Sequence, residues 1–296
     1  MNENKEVLIF GATGNIGGAA ARELLHRGWH VRAVTRNLES DKAKKLAKLG
    51  AEVVRADMDD RPLVEKVFDG MERVLSVQNW TTSGIEGEKQ QGKLVADVAQ
   101  SVGVEHLVYG SAGTGKRDTG LSHFDNKIVV EDYMRSLELP FTIVRPAPFM
   151  ELLSEKEFFP VLATWGVESK IVGWDLPIPW VSVHDLGIAI ANIFDDPKKW
   201  IGRDVSMYGD IKTLGESRAI FTAIDGKKPT GIPLPLWLFV KMAEEEFIEM
   251  WKWMDEWIGK IGIPGLLEFR KQSHEVCPEM LDMESWLKMK RNGGFG

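Results

Sequence analysis

The run Glu6-Val7-Leu8-Ile9-Phe10-Gly11-Ala12-Thr13-Gly14-Asn15-Ile16-Gly17 joins a short apolar stretch to three glycines spaced three apart. It reads as a buried strand turning through a glycine loop into a helix that starts near Asn15. In such a loop the first glycine allows the tight turn, the second admits a pyrophosphate close to the backbone, and the third lets the helix pack against the strand. The helix N-terminus adds unpaired N–H groups and the positive end of the helix dipole, which favour an anion. Gly11, Thr13, Gly14, Asn15, Ile16 and Gly17 are therefore the expected phosphate-binding loop. A glycine-rich turn without a ligand is the competing reading. The strand before the loop, the helix after it and a second strand at Val31 argue against that alternative.

Outward from this loop, β-branched runs alternate with helical stretches, the pattern of a parallel sheet with helices on both faces. Strands are expected over Glu6 to Phe10, His30 to Thr35, Ala51 to Arg55, Arg73 to Ser76, His106 to Tyr109 and Phe141 to Arg145. Helices are expected to start near Asn15, Ser40, Arg61, Gly87 and Phe124, with Gly28, Gly50, Gly70 and Gly103 at the points where the chain turns back. Successive βα units imply right-handed crossovers and one continuous sheet. The fold class is thus α/β: a doubly wound parallel Rossmann sheet with a smaller, mostly helical C-terminal substrate lobe. The expected division is residues 1–150 for nucleotide binding and 151–296 for the substrate lobe, some of whose segments return to the sheet.

After Met150 the texture changes, with prolines at 177, 179, 233 and 235 and a higher density of tryptophan and methionine. Trp180 to Val183 reads as a strand leading into a helix through Asn192, with Asp185 as its N-cap. Leu236 to Ile258 reads as a long helical run with a break near Ala243. In it Phe247, Met250, Trp251, Met254, Trp257 and Ile258 share one stripe, with Trp237, Phe239 and Trp253 nearby. Ordinary core is the favoured reading of that stripe; a lid over a flat apolar substrate, or a homodimer contact, is the sharper one.

Composition excludes several classes. Over 296 residues the chain is 44% apolar and 27% charged, an average globular balance. A formal net charge of −7 gives no broad positive field for phosphodiester backbones, so direct nucleic-acid binding is not expected. Met1 to Lys5 is polar and runs straight into a strand, so no secretory leader is expected, and no apolar run is long enough to span a membrane. The single cysteine, Cys277, cannot close an intrachain disulfide and reads as an inert thiol in a cytoplasmic protein. The histidines show no metal-ligand spacing.

Two further positions bear on the cofactor. Arg36 ends the second strand, where a site selective for NAD carries an acid for the ribose hydroxyls. A planar, permanently charged guanidinium there suits a 2′-phosphate and points to NADP(H); a solvated surface arginine is the alternative. Asp57, in Ala56-Asp57-Met58-Asp59-Asp60, is placed to accept from an adenine amino group while Met58 packs on the ring. It can equally brace the turn, with Asp59 or Asp60 capping the helix that opens at Arg61-Pro62.

Gly11 to Gly17, Arg36, the Ala-Asp-Met-Asp-Asp run, His123-Phe124-Asp125-Asn126-Lys127 and Val144-Arg145-Pro146-Ala147 together resemble the NmrA-like family of atypical short-chain dehydrogenases. The resemblance covers residues 6 to about 200. It implies an extended Rossmann fold, NADP(H) binding, and either reduction of quinones or related enones or redox sensing without turnover. It also implies that Val77, Gln78, Pro146 and Phe149 line the nicotinamide side, that Lys127 holds the nicotinamide ribose, and that Ser111 orients substrate. Typical short-chain dehydrogenases carry tyrosine four residues before that lysine, on the same helical face. Here the position is His123, an imidazole without a phenol. The catalytic set implied is Lys127, His123 and Ser111.

The leading expectation is an NADP(H)-dependent oxidoreductase acting on a small apolar quinone or enone, with the proton drawn from solvent or a weak acid. The alternative is an NADP(H)-binding redox sensor whose aromatic C-terminal surface docks a regulatory partner.

Overall fold

The computed structural model describes residues 5–154, 164–231 and 245–295. These divide into two compact units: Met1–Arg145 with Leu186–Val205, and Pro146–Asp185 with Ser206–Gly296.

The first unit carries β1 (Glu6–Ile9), α1 (Asn15–His26), β2 (His30–Thr35), α2 (Asp41–Lys48), β3 (Glu52–Arg55) and α3 (Arg61–Val67). It continues through β4 (Arg73–Val77), α4 (Trp80–Val102), β5 (His106–Gly110), α5 (Ser122–Ser136) and β6 (Phe141–Pro146). After β7 (Ile178–Trp180) come α6 (Val183–Asp195), α7 (Pro197–Trp200) and β8 (Asp204–Met207). The seven-stranded sheet runs β3-β2-β1-β4-β5-β6-β8, and the pairings from β3 through β6 are parallel. The order reverses between β1 and β4, and open α/β sheets place ligands at the carboxyl ends of strands beside such a reversal.

Local chemistry accounts for the element ends. Ser40, Asp60 and Asn79 accept from backbone N–H groups in the first turns of α2, α3 and α4. Gly28, Gly50, Gly70 and Gly103 all take positive φ at the turns where they were expected. The strands pack on Leu8, Phe10, Val74, Leu107, Tyr109 and Ile143, all shielded from solvent. Phe10 meets Phe68 with ring centroids 5.6 Å apart. A fully buried side chain of this kind contributes about 1.5–3 kcal/mol. Gly187 in α6 touches α1 so closely that a Cβ there would stand 2.7 Å from the Ala19 carbonyl.

The second unit contains the pair β7 and β9 (Asp210–Lys212), which is antiparallel. Its helices are α8 (Leu214–Asp225), α9 (Glu245–Val276) and α10 (Met283–Arg291). Trp180, Phe221, Leu266 and Trp286 are buried in it. Helix α9 bends where Gly262 takes φ 60 and Pro264 interrupts the hydrogen-bond ladder.

Three expectations need correction. Helix α4 begins at Trp80 rather than near Gly87, because Asn79 caps it and the helix is carried across the bend at Gly84. The Trp180 to Val183 strand is shorter and earlier: β7 ends at Trp180 and Val183 opens α6. Asp185 is not the N-cap. Its own N–H donates to Ser182 Oγ (3.0 Å), and its carboxylate accepts from Leu281 N (3.0 Å). β8 joins the sheet beside β6, a short stretch without a strong strand pattern, from the part of the chain expected to send segments back to the sheet. Of the long C-terminal helical run, Leu236 to Glu244 lies outside the described residues. Trp251, Met254, Trp257 and Ile258 on it are buried, which favours core over lid.

Candidate active site

The glycine loop follows β1. Gly11 takes φ +73, and a Cβ there would stand 2.6 Å from the Val77 carbonyl. Gly14 N donates to Gly11 O at 2.9 Å, closing the turn. Gly14 is also the N-cap of α1 and supplies no side-chain acceptor, so the first N–H groups of the helix are left for a ligand. A Cβ on Gly17 would stand 2.3 Å from Gly11 O, which makes glycine the residue that lets helix and loop approach this closely. Around them Thr13 and Ile16 are half-buried and Asn15 is exposed.

Arg36 follows β2 directly. It is exposed and has no ion-pair partner among the described residues. The turn beyond it is held independently, by Asn37 N donating to Thr35 Oγ1 (3.2 Å) and Glu39 N to Asn37 Oδ1 (2.9 Å). At the third strand, Asp60 caps α3 and Asp57 Oδ1 accepts from Asp59 N (3.2 Å), so Asp57 braces the turn and leaves its second oxygen outside that contact. Met58 Sδ lies 3.4 Å from the Gln78 amide, which also donates to Ser76 Oγ at 2.9 Å. Gln78 Oε1 is buried without a hydrogen-bond partner. Such an acceptor costs about 1–3 kcal/mol if left unmade, so it fits a site completed by a ligand donor. The glycine cradle, the free helix terminus and this acceptor suit a dinucleotide.

Beyond Val77 and Gln78 the polar groups form two buried sets. Lys127 Nζ lies 2.9 Å from Glu88 Oε1 and donates to the carbonyls of Gln78 (3.3 Å) and Gly110 (3.4 Å). It also stands 5.3 Å from the centre of the Tyr109 ring. Asn126 Nδ2 donates to Glu88 Oε2 at 3.0 Å. Burial, with the Glu88 and Glu131 charges, pushes the Tyr109 phenol well above its ordinary range, so it stays protonated. The second set holds Ser111: its Oγ donates to Glu131 Oε1 (2.6 Å), and Arg145 forks onto Glu131 (3.0 and 2.5 Å) and reaches Asp204 (2.8 Å). Burial opposes the Arg145 charge, but the Glu131 contacts outweigh it and hold its pKa up.

His123 lies in the first turn of α5, on the face shared with Lys127, and is itself buried. Its ring stacks on Trp80, with centroids 5.6 Å apart and planes 28° from parallel, and lies 4.3 Å from that of Phe124. Ser111, His123 and Lys127 therefore all belong to the first unit, at the carboxyl ends of β4 and β5. Pro146 and Phe149 belong to the second, where Val181 N donates to the neighbouring Pro148 O at 3.0 Å.

Glu88 and Glu131 escaped the sequence reading. Glu88 sits in Glu86-Gly87-Glu88-Lys89-Gln90, a stretch with no motif to mark it. Glu131 stands four residues after Lys127, a spacing that does place both on one helical side.

Among the described residues no His, Cys, Asp and Glu group forms a metal site, and no helix is long and apolar enough to cross a membrane. Cys277 is buried.

The fold defines an α/β protein of the Rossmann type with a glycine loop after β1. The model of the NmrA-like family matches residues 3–287, and the chain belongs to that family. It is 32% identical over 259 residues to the NmrA-like family domain-containing oxidoreductase lnaB of Aspergillus flavus, covering 79% of this chain and 78% of that protein. Among solved structures it is similar to NmrA, a negative transcriptional regulator, in complex with NADP, with TM-score 0.72, 20% identity, and 99% and 98% of the chains covered. It is also similar to an NADPH-dependent quinone oxidoreductase from Escherichia coli, with TM-score 0.72, 21% identity, and 97% and 100% covered.

Proposed function

We propose that this chain is an NADP(H)-dependent reductase of a small apolar quinone or enone carbonyl. The observation that carries the reading is the cradle: an uncapped helix terminus beside Gly11 and Gly17, which leave no room for a Cβ, with Arg36, unpaired among the described residues, one residue beyond β2. The Aspergillus relative, described as an oxidoreductase, and the quinone oxidoreductase of like fold support it.

Gly11, Thr13, Gly14, Asn15, Ile16 and Gly17 would hold the pyrophosphate, Arg36 the 2′-phosphate, and Asp57 and Met58 the adenine. Val77 and Gln78 would face the nicotinamide side, with Pro146 and Phe149 as further lining. The bound cofactor supplies a hydride. Lys127, anchored by Glu88 and two carbonyls, sets a fixed positive charge at the ends of β4 and β5 for the ribose hydroxyls. Ser111, fixed by Glu131, orients the substrate oxygen. His123 serves as the weak acid, or the proton comes from solvent, so that hydride and proton together convert a quinone to a hydroquinone. A lone buried thiol suits a cytoplasmic setting.

A second reading rests on one observation: His123 is packed between Trp80 and Phe124, where a proton donor for turnover gains little freedom. It makes the protein an NADP(H) sensor whose partner affinity follows the cofactor. Purified protein is incubated with NADPH and a panel of quinones and enones while absorbance at the nicotinamide band is followed. Turnover supports the reductase, tight binding without turnover supports the sensor, and the absence of NADPH binding rejects both.

A further inference from the structure

We infer that the second unit carries a binding site for a small oxyanion, a carboxylate or phosphate group on a ligand with an apolar body, in the cavity beside Trp174 and Arg218. The cavity measures about 610 Å³, and its lining is Trp174, Gly215, Arg218, Ala219, Thr222, Ala223 and Lys228. That volume falls in the range of ordinary small-molecule sites.

The charge of the lining is the first argument. In a chain of net charge −7, the described residues of this lining include two cations and no acid. Neither Arg218 nor Lys228 has an ion-pair partner among the described residues. The two acids flanking Arg218 on or beside its helix are already engaged, and Asp175, next to Trp174 in sequence, is exposed. Glu216 accepts from Thr213 N (2.8 Å) in the capping box of α8, and Asp225 is held by both arms of Arg291 (2.7 Å each). The two cations of the lining thus keep their charge with respect to the acids of their own helix.

The second argument is the state of Arg218. Its guanidinium lies over the Trp174 ring, 4.8 Å from the centroid, which orients it and lowers its freedom before any ligand arrives. Its Nε is shielded from solvent and has no acceptor. A buried donor in that condition favours an incoming oxyanion, and the planar guanidinium fork accepts a carboxylate or phosphate bidentately. Trp174 is itself held: its carbonyl accepts from Gly215 N at 3.0 Å, an approach close enough that a Cβ on Gly215 would stand 3.2 Å away. Ala219 and Ala223, one turn apart on α8, provide an apolar wall for the body of the ligand.

The test is a calorimetric titration of the full-length chain, with and without saturating NADPH, using inorganic phosphate and benzoate as probes. Wild type, Arg218→Gln, Lys228→Gln and Arg36→Ala are compared. Saturable binding of either probe is expected, weakened about tenfold or more by Arg218→Gln, the loss that one charge-assisted hydrogen bond predicts. Lys228→Gln should weaken it less, Arg36→Ala should leave it unchanged, and both cavity variants should bind NADPH as wild type does. Benzoate alone identifies a carboxylate ligand and phosphate alone a phosphoryl one. No saturable binding of either probe, or binding that survives Arg218→Gln, overturns the site; phosphate lost only in Arg36→Ala assigns that ion to the nucleotide loop instead and equally overturns it.

Discussion

Lys127 Nζ and Glu88 Oε1 stand 2.9 Å apart, with only 6% and 1% of their side chains exposed. Removing one partner of a buried pair leaves the other charge uncompensated, which typically costs about 3–5 kcal/mol. Glu88→Gln should therefore lower stability by roughly that amount, while Glu88→Gln with Lys127→Met should recover part of it, since the two groups are coupled. Urea unfolding of the two singles and the double closes the cycle; strictly additive losses would remove the pair from the account.

Gly17→Ala places a methyl group 2.3 Å from a carbonyl oxygen of the loop, where backbone rather than a flexible side chain must move. The expected result is loss of NADPH binding by more than tenfold with a folded protein, measured by fluorescence titration and circular dichroism. Unchanged affinity would mean that the loop does not carry the pyrophosphate.

Arg36→Ala removes an exposed side chain that none of the described residues holds, so stability should stay within about 0.5 kcal/mol of wild type. NADPH affinity should fall about tenfold or more and NADH affinity should not, because only the former carries the 2′-phosphate. Equal losses for both cofactors would place Arg36 elsewhere than at that phosphate.

His106 is pushed down to about 4, by burial first and then by the Arg73 charge. Its Nε2 lies 2.8 Å from Thr142 Oγ1, whose own proton goes to Trp200 O at 2.7 Å, and Nδ1 is buried without a partner. The ring must then donate through Nε2, and protonating Nδ1 creates a donor with no acceptor. The unfolded chain takes up that proton near pH 6.5 and the folded chain does not, so stability falls as pH drops from about 6.5 to 4. The loss is about 3 kcal/mol at most, and His106→Asn should flatten that part of the profile.

Glu168 works in the opposite sense. Burial pushes it up to about 8, so the folded state keeps a proton that the unfolded state has released. Stability should decline as pH rises from about 4.5 to 8, and Glu168→Gln should be more stable than wild type at pH 8 and less pH-dependent. Thermal unfolding across that range, run beside His106→Asn, separates the two slopes; an unaltered alkaline limb in Glu168→Gln would show that Glu168 ionises freely.

Much of the first unit was legible along the chain. The apolar runs, the glycine loop after the first strand, the turn glycines and the start of α1 at Asn15 follow from local periodicity and from conformations open only to glycine. Arg36 was legible for the same reason: its place is counted from the glycines along a regular βαβ unit. Local rules also misled. Asp185 stands where a helix cap is common, yet Ser182 takes the cap and the Asp185 carboxylate goes to Leu281, far along the chain.

The sequence by itself determined the βα alternation, the cradle and the cation beyond it, because strand period, helix period and glycine freedom act over a few residues. Only the tertiary structure decided which charges meet. Glu88 carries no local sign of its role; the packing of α4 against α5 sets it on Lys127, and Glu131 meets both Ser111 and Arg145 because β6 lies beside β5. A buried charge needs a partner at hydrogen-bond distance, and that partner is chosen by how elements distant in sequence pack rather than by any local pattern.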